Sequence, residues 1–576
     1  MKLKNKGWIP ALLLCSSLGL SACGGGGGSA AEEPAIPGDG PADGGGAGGG
    51  GSAEPLVPVA DGYGWLGNTR LQVFGPTGLL ANDPAGAVLA SADSSTLLGG
   101  AVSVELATGA FIYDPPAGRQ DTEDSFRYRL AGGLEAVVSI ALADRIWYVR
   151  NNDEGGESLG TDRSPFLTLA EAEAASEPGE TIFVFAGART SLGMDRGIAL
   201  KPGQKLMGEG VGLTINGIPV IGSLPFPVLT NAALGAGAGN SPVVTLSTGN
   251  EVAGFIIEPA FNEGILVPGG SGHRIRDNRL QNFALQGREG IRLLAVTGEN
   301  AVTDNRIVGA LRDGIKLSNL ENQAGDGVPA TDVTGSVLIN LNTIQNSAQS
   351  GISVRLGGTA ATRMKLDILT NNLSDSGTSG LFEGIDLDSS GAAQVSAVVS
   401  RNSVRTSSDE AMEMTSADAS TIRALVANGA LSDSGGLSDG LFTSAAVGAV
   451  EGFCLELINN SNATLSTGFR VENNAGGAVI FGFFEDLNDS QANTAGNFTP
   501  VAEGGCNVVL NGPGLFESNC AICHRGNGMG RGNLGPDITN QTLDRLNFAL
   551  ENIFNMEDIR LTDPERQAII DALQAP

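Results

Sequence analysis

The chain has 576 residues, with 34 basic and 63 acidic side chains, so its formal net charge is −29. A single domain is excluded in practice, since single cores stop growing near about 250–300 residues. The charge argues against nucleic acid, which is bound by clustered Lys and Arg. With only two His in the chain, a His-rich metal centre is excluded as well. The 85 Gly fit low-complexity linkers and turn-rich β architecture.

Residues 1–23 read as an export signal. Lys2, Lys4 and Lys6 precede the apolar run from Ile9 to Leu20, which is shorter than the ~20 residues that cross a bilayer. Leu20-Ser21-Ala22-Cys23 resembles the lipobox of bacterial lipoproteins. That resemblance implies lipidation at Cys23 and, with Gly24 directly after it, an outer-membrane address. Plain secretion is the alternative. The Gly-rich stretch 24–56 would serve as a flexible tether.

Residues 57–143 carry alternating apolar positions broken by turns. Ala101 to Leu106 and Phe111-Ile112-Tyr113 flank Thr108-Gly109, a hairpin signature. The pieces Gly78 to Asp83, Gly109 to Tyr113 and Asp124 to Tyr128 resemble the cadherin-like or Ig-like modules of bacterial surface proteins. The resemblance implies a β-sandwich spacer with Phe111, Tyr113, Phe126 and Tyr128 in its core.

Residues 144–510 change pattern. The stretch Tyr148 to Asn152, then Ser164 to Leu169, then Gly179 to Gly187 resembles the entry of a right-handed parallel β-helix. Leu169 to Ser176 is predicted as a capping helix with Thr168 as N-cap, and Ile182 to Phe185 as the first strand. A repeat follows: Asn278, Asn305, Asn342, Asn372 and Asn402 each precede Gly-Ile or, last, Ala411-Met412, at spacings of 27, 37, 30 and 30. Such periods mean stacked coils, and the Asn are expected in left-handed turns, laddered and structural. Loops 319–331 and 428–440 absorb the variation, and Cys506 to Leu510 is expected as the last strand. Asp386 and Asp388 share a strand face, with Arg276, Arg279 and Lys316 expected in neighbouring coils. These charges are expected to be solvated rather than a catalytic set, and His273 to be an exposed side chain. Whether the chain is an enzyme is left open, with the reading leaning to an electron carrier because the β-helix shows no complete catalytic set. Cys454 and Cys506 remain as a pair in an oxidising compartment, open to a disulfide or to two free thiols.

In residues 511–576 the most specific signal is Cys520-Ala521-Ile522-Cys523-His524, a C-x-x-C-H run. Two thiols at this spacing suit covalent attachment of one haem c, with His524 as proximal iron ligand. No Cys or His lies between 525 and 576 to complete a zinc site. Gly514-Leu515-Phe516 before the motif, Gly526 to Gly532 after it and Leu534-Gly535-Pro536-Asp537 resemble a class I cytochrome c. The resemblance implies that the Pro536 carbonyl orients His524 and that the distal ligand is Met556. Met529 is too close to His524 to reach the other haem face. Thr562-x-x-Glu565 forms a capping box before a helix whose apolar stripe is Ala568, Ile569, Ala572 and Leu573.

The expected fold is therefore mainly β: a β-sandwich, a right-handed parallel β-helix and a small all-α cytochrome c domain. The expected function is electron transfer between redox donor and acceptor proteins by an envelope-tethered haem protein. The alternative is a polysaccharide-binding or polysaccharide-cleaving β-helix with an accessory cytochrome module, in which a polysaccharide or surface ligand occupies the β-helix.

Overall fold

A computed structural model describes residues 56–508, apart from short internal stretches that fall mostly between 434 and 503, and the helix Asp563–Gln574. The signal, Cys23 and the Gly-rich tether lie outside the described residues. The chain divides into two compact units, Met1–Arg145 and Ile146–Pro576.

In the first unit, strict alternation builds two small sheets. Thr122–Leu130 and Glu135–Ala143 bury every second side chain, as strands with one face on a core must. They pair antiparallel at the centre of a four-stranded sheet whose edges are Asp61–Leu66 and Leu89–Ala92. Leu71–Val73, Phe111–Asp114 and Ala101–Val104 form the second sheet, with the turn at Gly109 where φ is +76°. Both sheets contribute to one core, in which Phe111 meets Tyr63 and Phe126 edge-on at 5.0 and 5.5 Å. Tyr113 and Tyr128 are buried as expected, with their polar ends satisfied. Tyr113 donates to Asp124 (2.8 Å) and Tyr128 to Asp83 (3.0 Å).

The second unit is a β-helix-like solenoid of parallel sheets. Its entry begins earlier than expected: Ile146–Val149, not the 182–185 segment, is the outermost strand, paired in parallel with Thr181–Val184. The capping helix is present at Leu169–Ala175. Thr168 and Glu171 form a full capping box, because each side chain takes the other's free backbone N–H. A full coil then visits three sheets in turn. Among the described residues the first sheet has 13 strands, the second 8 and the third 11. One coil illustrates the plan: Arg363–Leu369, Asn372–Ser374 and Ile385–Ser389. Stacking in register places Ile368 on Ile339 and Val399, and Ile385 on Ile352 and Met412. The result is one continuous apolar core, each large aliphatic contributing about 1.5–3 kcal/mol.

The repeated Gly has a steric cause. A Cβ on Gly314 would sit 2.4 Å from Ile344 Cγ2, and one on Gly384 would sit 2.1 Å from Val404 Cγ1. The turn between second and third sheet leaves no room there.

The Asn column is present with two corrections. Its fourth member is Asn371, not Asn372: Asn371 is buried, whereas Asn372 is an exposed strand residue. Nor do the ladder Asn adopt the left-handed conformation themselves. Positive φ falls on the residue before each of them, at Asp277, Asp304, Leu341, Thr370 and Arg401. That turn aims the following Asn inward between coils. The Asn371 Oδ1 accepts from the Asn342 backbone N–H (2.9 Å) and side-chain amide (3.0 Å). Its own Nδ2 donates to Ile339 O (2.8 Å) and Asn402 Oδ1 (3.0 Å). Asn278, Asn305 and Asn342 repeat the scheme. At Gly429 no side chain continues it, and Asn460 resumes it by accepting from Gly429 N (2.9 Å).

Two further expectations are corrected. The segment 428–440 is no plain loop, since Ala430–Asp433 is a strand of the second sheet. The described end of the first sheet is Phe498–Pro500, and Cys506 lies in a turn rather than a strand.

Candidate functional site

Cys520, Cys523, His524, Met529, Pro536 and Met556 lie outside the described residues. The chemistry of the donor set, two thiols and an imidazole within five residues, fits covalent haem. The chain enters this region from a fixed point. Cys454 and Cys506 form a disulfide, with a Cα–Cα distance of 5.4 Å. The buried Glu456 carboxylate accepts from Gly504 N (2.9 Å) and Cys506 N (2.8 Å), and Arg423 donates to Cys506 O (3.0 Å). Beyond the region, the helix Asp563–Gln574 buries Ile569 and Ile570, with Ala568 and Leu573 half-buried. Ile570 thus joins the expected stripe, while the Ala572 side chain and the N-cap Thr562 lie outside the description.

On the solenoid, the third sheet gathers charge on its outward side. Arg292, Lys316, Ser353, Asp386 and Glu413 stack in register as one outward column. Beside it runs a second column from the residues preceding the turn Gly or Ala: Glu263, Glu289, Asp313, Ser350, Glu383 and Glu410. In the early coils cations answer the carboxylates. Arg292, fully buried, pairs with Glu263 (2.9 Å) and Glu321 (3.0 Å) and donates to Asn322 O. Lys316 pairs with Asp313 (3.5 Å) and Glu321 (3.1 Å), and Arg312 lies 3.7 Å from Glu289.

In the later coils the balance tips. Asp386 accepts from Ser353 (3.1 Å), and Arg355 stands 3.6 Å from Asp386 and 3.8 Å from Asp388. Around them sit Glu383, Glu410 and Glu413. Burial, reinforced by the charges of Asp388 and Glu383, pushes the Asp386 carboxyl up to about 8. Burial and its acidic neighbours push Glu413 up to about 8, and burial with the Asp409 hydrogen bond pushes Glu410 up to about 7. Glu383 is raised by burial. Asp386, Glu410 and Glu413 in this state hold protons near neutrality and can donate them. Glu383, Glu410 and Glu413 each offer an oxygen within 4.8 Å of the others, a spacing one cation could bridge.

The expectation of solvated, scattered charges is therefore corrected at Asp386 and Lys316, both of which are buried. Arg276 and Arg279 lie on the other two sheets, away from the column of Asp386 and Lys316. Arg276 pairs with Glu251 and Asp277 (2.8 Å each), and Arg279 lies over the Phe226 ring at 4.1 Å. His273 is not exposed. It is buried, with Nε2 3.0 Å from Gly269 O, and burial lowers its pKa. The residues missed in the sequence are Ser353, Arg355, Glu383, Glu410 and Glu413. For Glu383 and Glu410 the signal was the acidic residue before the repeated turn, as in Glu383-Gly384-Ile385, whereas Ser353, Arg355 and Glu413 follow that turn on the strands and carried none. Once coils stack, a recurring sequence position becomes a column.

Against known proteins, no curated protein and no solved structure matches the chain. The family model for cytochrome c matches residues 509–573. The C-terminal part is thus a cytochrome c region, its cofactor is covalently bound haem c, and it forms an electron-transfer module attached to a long parallel β domain.

Proposed function

We propose that this chain is an electron carrier of the bacterial envelope, anchored by lipid on Cys23, the role that best suits a haem module on a tethered solenoid. Cys520 and Cys523 hold one haem through thioether bonds, and His524 and Met556 are its axial ligands. The observation that carries this reading is the C-x-x-C-H run inside the matched cytochrome c region. His/Met ligation fills both axial positions and raises the potential, which suits electron transfer between partner proteins rather than oxygen chemistry. The N-terminal module acts as a cadherin-like spacer above an outer-membrane anchor, and the solenoid is a right-handed β-helix scaffold.

Haem-stained gels and reduced-minus-oxidised spectra test the core of this reading. Cys520→Ala with Cys523→Ala should abolish stain that survives denaturation. Met556→Ala should lose the weak red-end band of the oxidised form and lower the potential, whereas Met529→Ala should do neither. The reverse pattern reassigns the distal ligand. Cys23→Ser should release the protein from membranes.

The Asp386 cluster favours a second reading, in which the solenoid binds or cleaves an acidic-site polysaccharide ligand. A carboxyl that burial keeps protonated, as at Asp386, supplies the acid that glycosidic cleavage requires. Polysaccharide-cleaving activity that Asp386→Asn abolishes, with the haem spectrum unchanged, would establish it. Absence of activity in the parent leaves the solenoid as scaffold.

A further inference from the structure

We propose that residues 509–573 seat on the outward face of the first sheet, across the five coils whose first-sheet strands are Thr334–Asn340, Arg363–Leu369, Gln394–Ser400, Thr421–Ala427 and Phe453–Ile458. Outward side chains of a solenoid ordinarily face water. In the preceding coil they do so, since Glu299 is exposed and Ala301 half-exposed. From the next coil onward the central outward row is buried: Leu338 at 7 %, Asp367 at 0 %, Val398 at 0 %, Leu425 at 3 % and Glu456 at 2 %. These residues stack in register. They alternate with inward residues such as Ile339 and Val399, and Leu338, Val398 and Leu425 do not belong to the solenoid core. Three aliphatics in one outward row mark a face built to be covered.

Residues 504–506 reach the last two of these coils, through Arg423 and Glu456. Leu338 lies three coils further on, about 14 Å away at the usual strand spacing. The chain is pinned to this same face by the Cys454–Cys506 disulfide, and the matched region begins three residues later at 509. Three extended residues reach at most about 11 Å, so the region starts beside the covered row.

Size and charge agree with this occupant. A compact globule of 65 residues has a radius of gyration of about 11 Å, and five strands span about 19 Å. The face carries a recess of about 630 Å³ rimmed by Arg363, Lys365 and Arg423. Residues 509–573 hold 5 Arg, no Lys, and 9 Asp or Glu, so their net charge is 5 − 9 = −4. A cationic rim therefore meets an acidic module.

Zero-length carbodiimide coupling of the haem-loaded full chain tests the seat. In a mixture of light- and heavy-isotope chains, Lys365 should couple to carboxylates of 509–573 within one chain. Coupling only between light and heavy chains would assign the face to a second copy and overturn the proposal. Absence of any link from Lys365 into 509–573 would overturn it too. Independently, Val398→Asp should speed proteolytic release of the 509–573 fragment at least tenfold, and an unchanged rate would overturn the seat. If Val398→Asp disturbs the solenoid's circular dichroism, Arg363→Glu with Lys365→Glu carries the same expectation and the same refutation. The fragment is identified by mass, so the outcome does not depend on whether the haem carries electrons.

Discussion

The solenoid stacks two kinds of polar column, amide and carboxylate, and they behave oppositely. In the amide column each Asn is both donor and acceptor, so translation by one coil satisfies every member. In the carboxylate column ionised members only accept, so translation by one coil sets like charges side by side. Arg292 and Lys316 relieve this in the early coils, whereas protonation relieves it around Asp386. A repeat can therefore bury neutral amides without limit, but it buries carboxylates only with inserted cations or retained protons.

The most severe way to break the contrast is Asn371→Ala. It removes four hydrogen bonds and leaves the Asn342 N–H and Ile339 O buried without their partner. A loss of about 3 kcal/mol or more is expected in the denaturant midpoint. On the carboxylate side, Asp386 and Glu413 titrate near 8 when folded, against about 4 in the unfolded chain. Below about pH 4 both states are protonated and nothing is lost. Between about 4 and 8 the folded chain binds more protons, so stability should fall as pH rises and level off above about 8. Asp386→Asn should flatten that slope, stabilising the protein at pH 8.5 by about 1–3 kcal/mol and changing little at pH 4. A slope unchanged in the variant would place the buried protons elsewhere.

Smaller effects sharpen the amide side. Gly429→Asn should restore the missing member and raise stability by about 1 kcal/mol, provided that Asn460 Oδ1, 3.1 Å from the new Cβ, shifts slightly. Thr370 holds a β-branched side chain at φ +54°. Thr370→Gly should gain up to about 1 kcal/mol in a thermal melt, because Gly adopts that turn without a Cβ clash.

Much of this architecture was legible because repetition amplifies weak signals. The Gly-Ile pairs, the capping box at Thr168 and the C-x-x-C-H run each depend on local spacing. Asn371 and Asn372 were confused because neighbouring residues share the spacing, and only the left-handed turn at Thr370 decides which one points inward. The burial of His273, and of Lys316 and Asp386 on an outward face, was not legible. It depends on loops and neighbouring coils that close over them, which periodicity does not encode. The haem region was legible from the C-x-x-C-H run alone, and the cytochrome c match at 509–573 covers it.

The entry strand Ile146–Val149 has a consequence for assembly. A parallel sheet stacked along one axis is a template for further like strands, and an open end invites polymerisation. Here the end is spent: Tyr148 N donates to Gly160 O (3.0 Å), Phe166 N to Tyr148 O (2.8 Å) and Arg150 N to Phe166 O (2.8 Å), while Trp147 stacks on Phe166 at 5.3 Å. A second molecule arriving at this strand finds its ladder already taken, so the first sheet offers no template for filament growth at its entry.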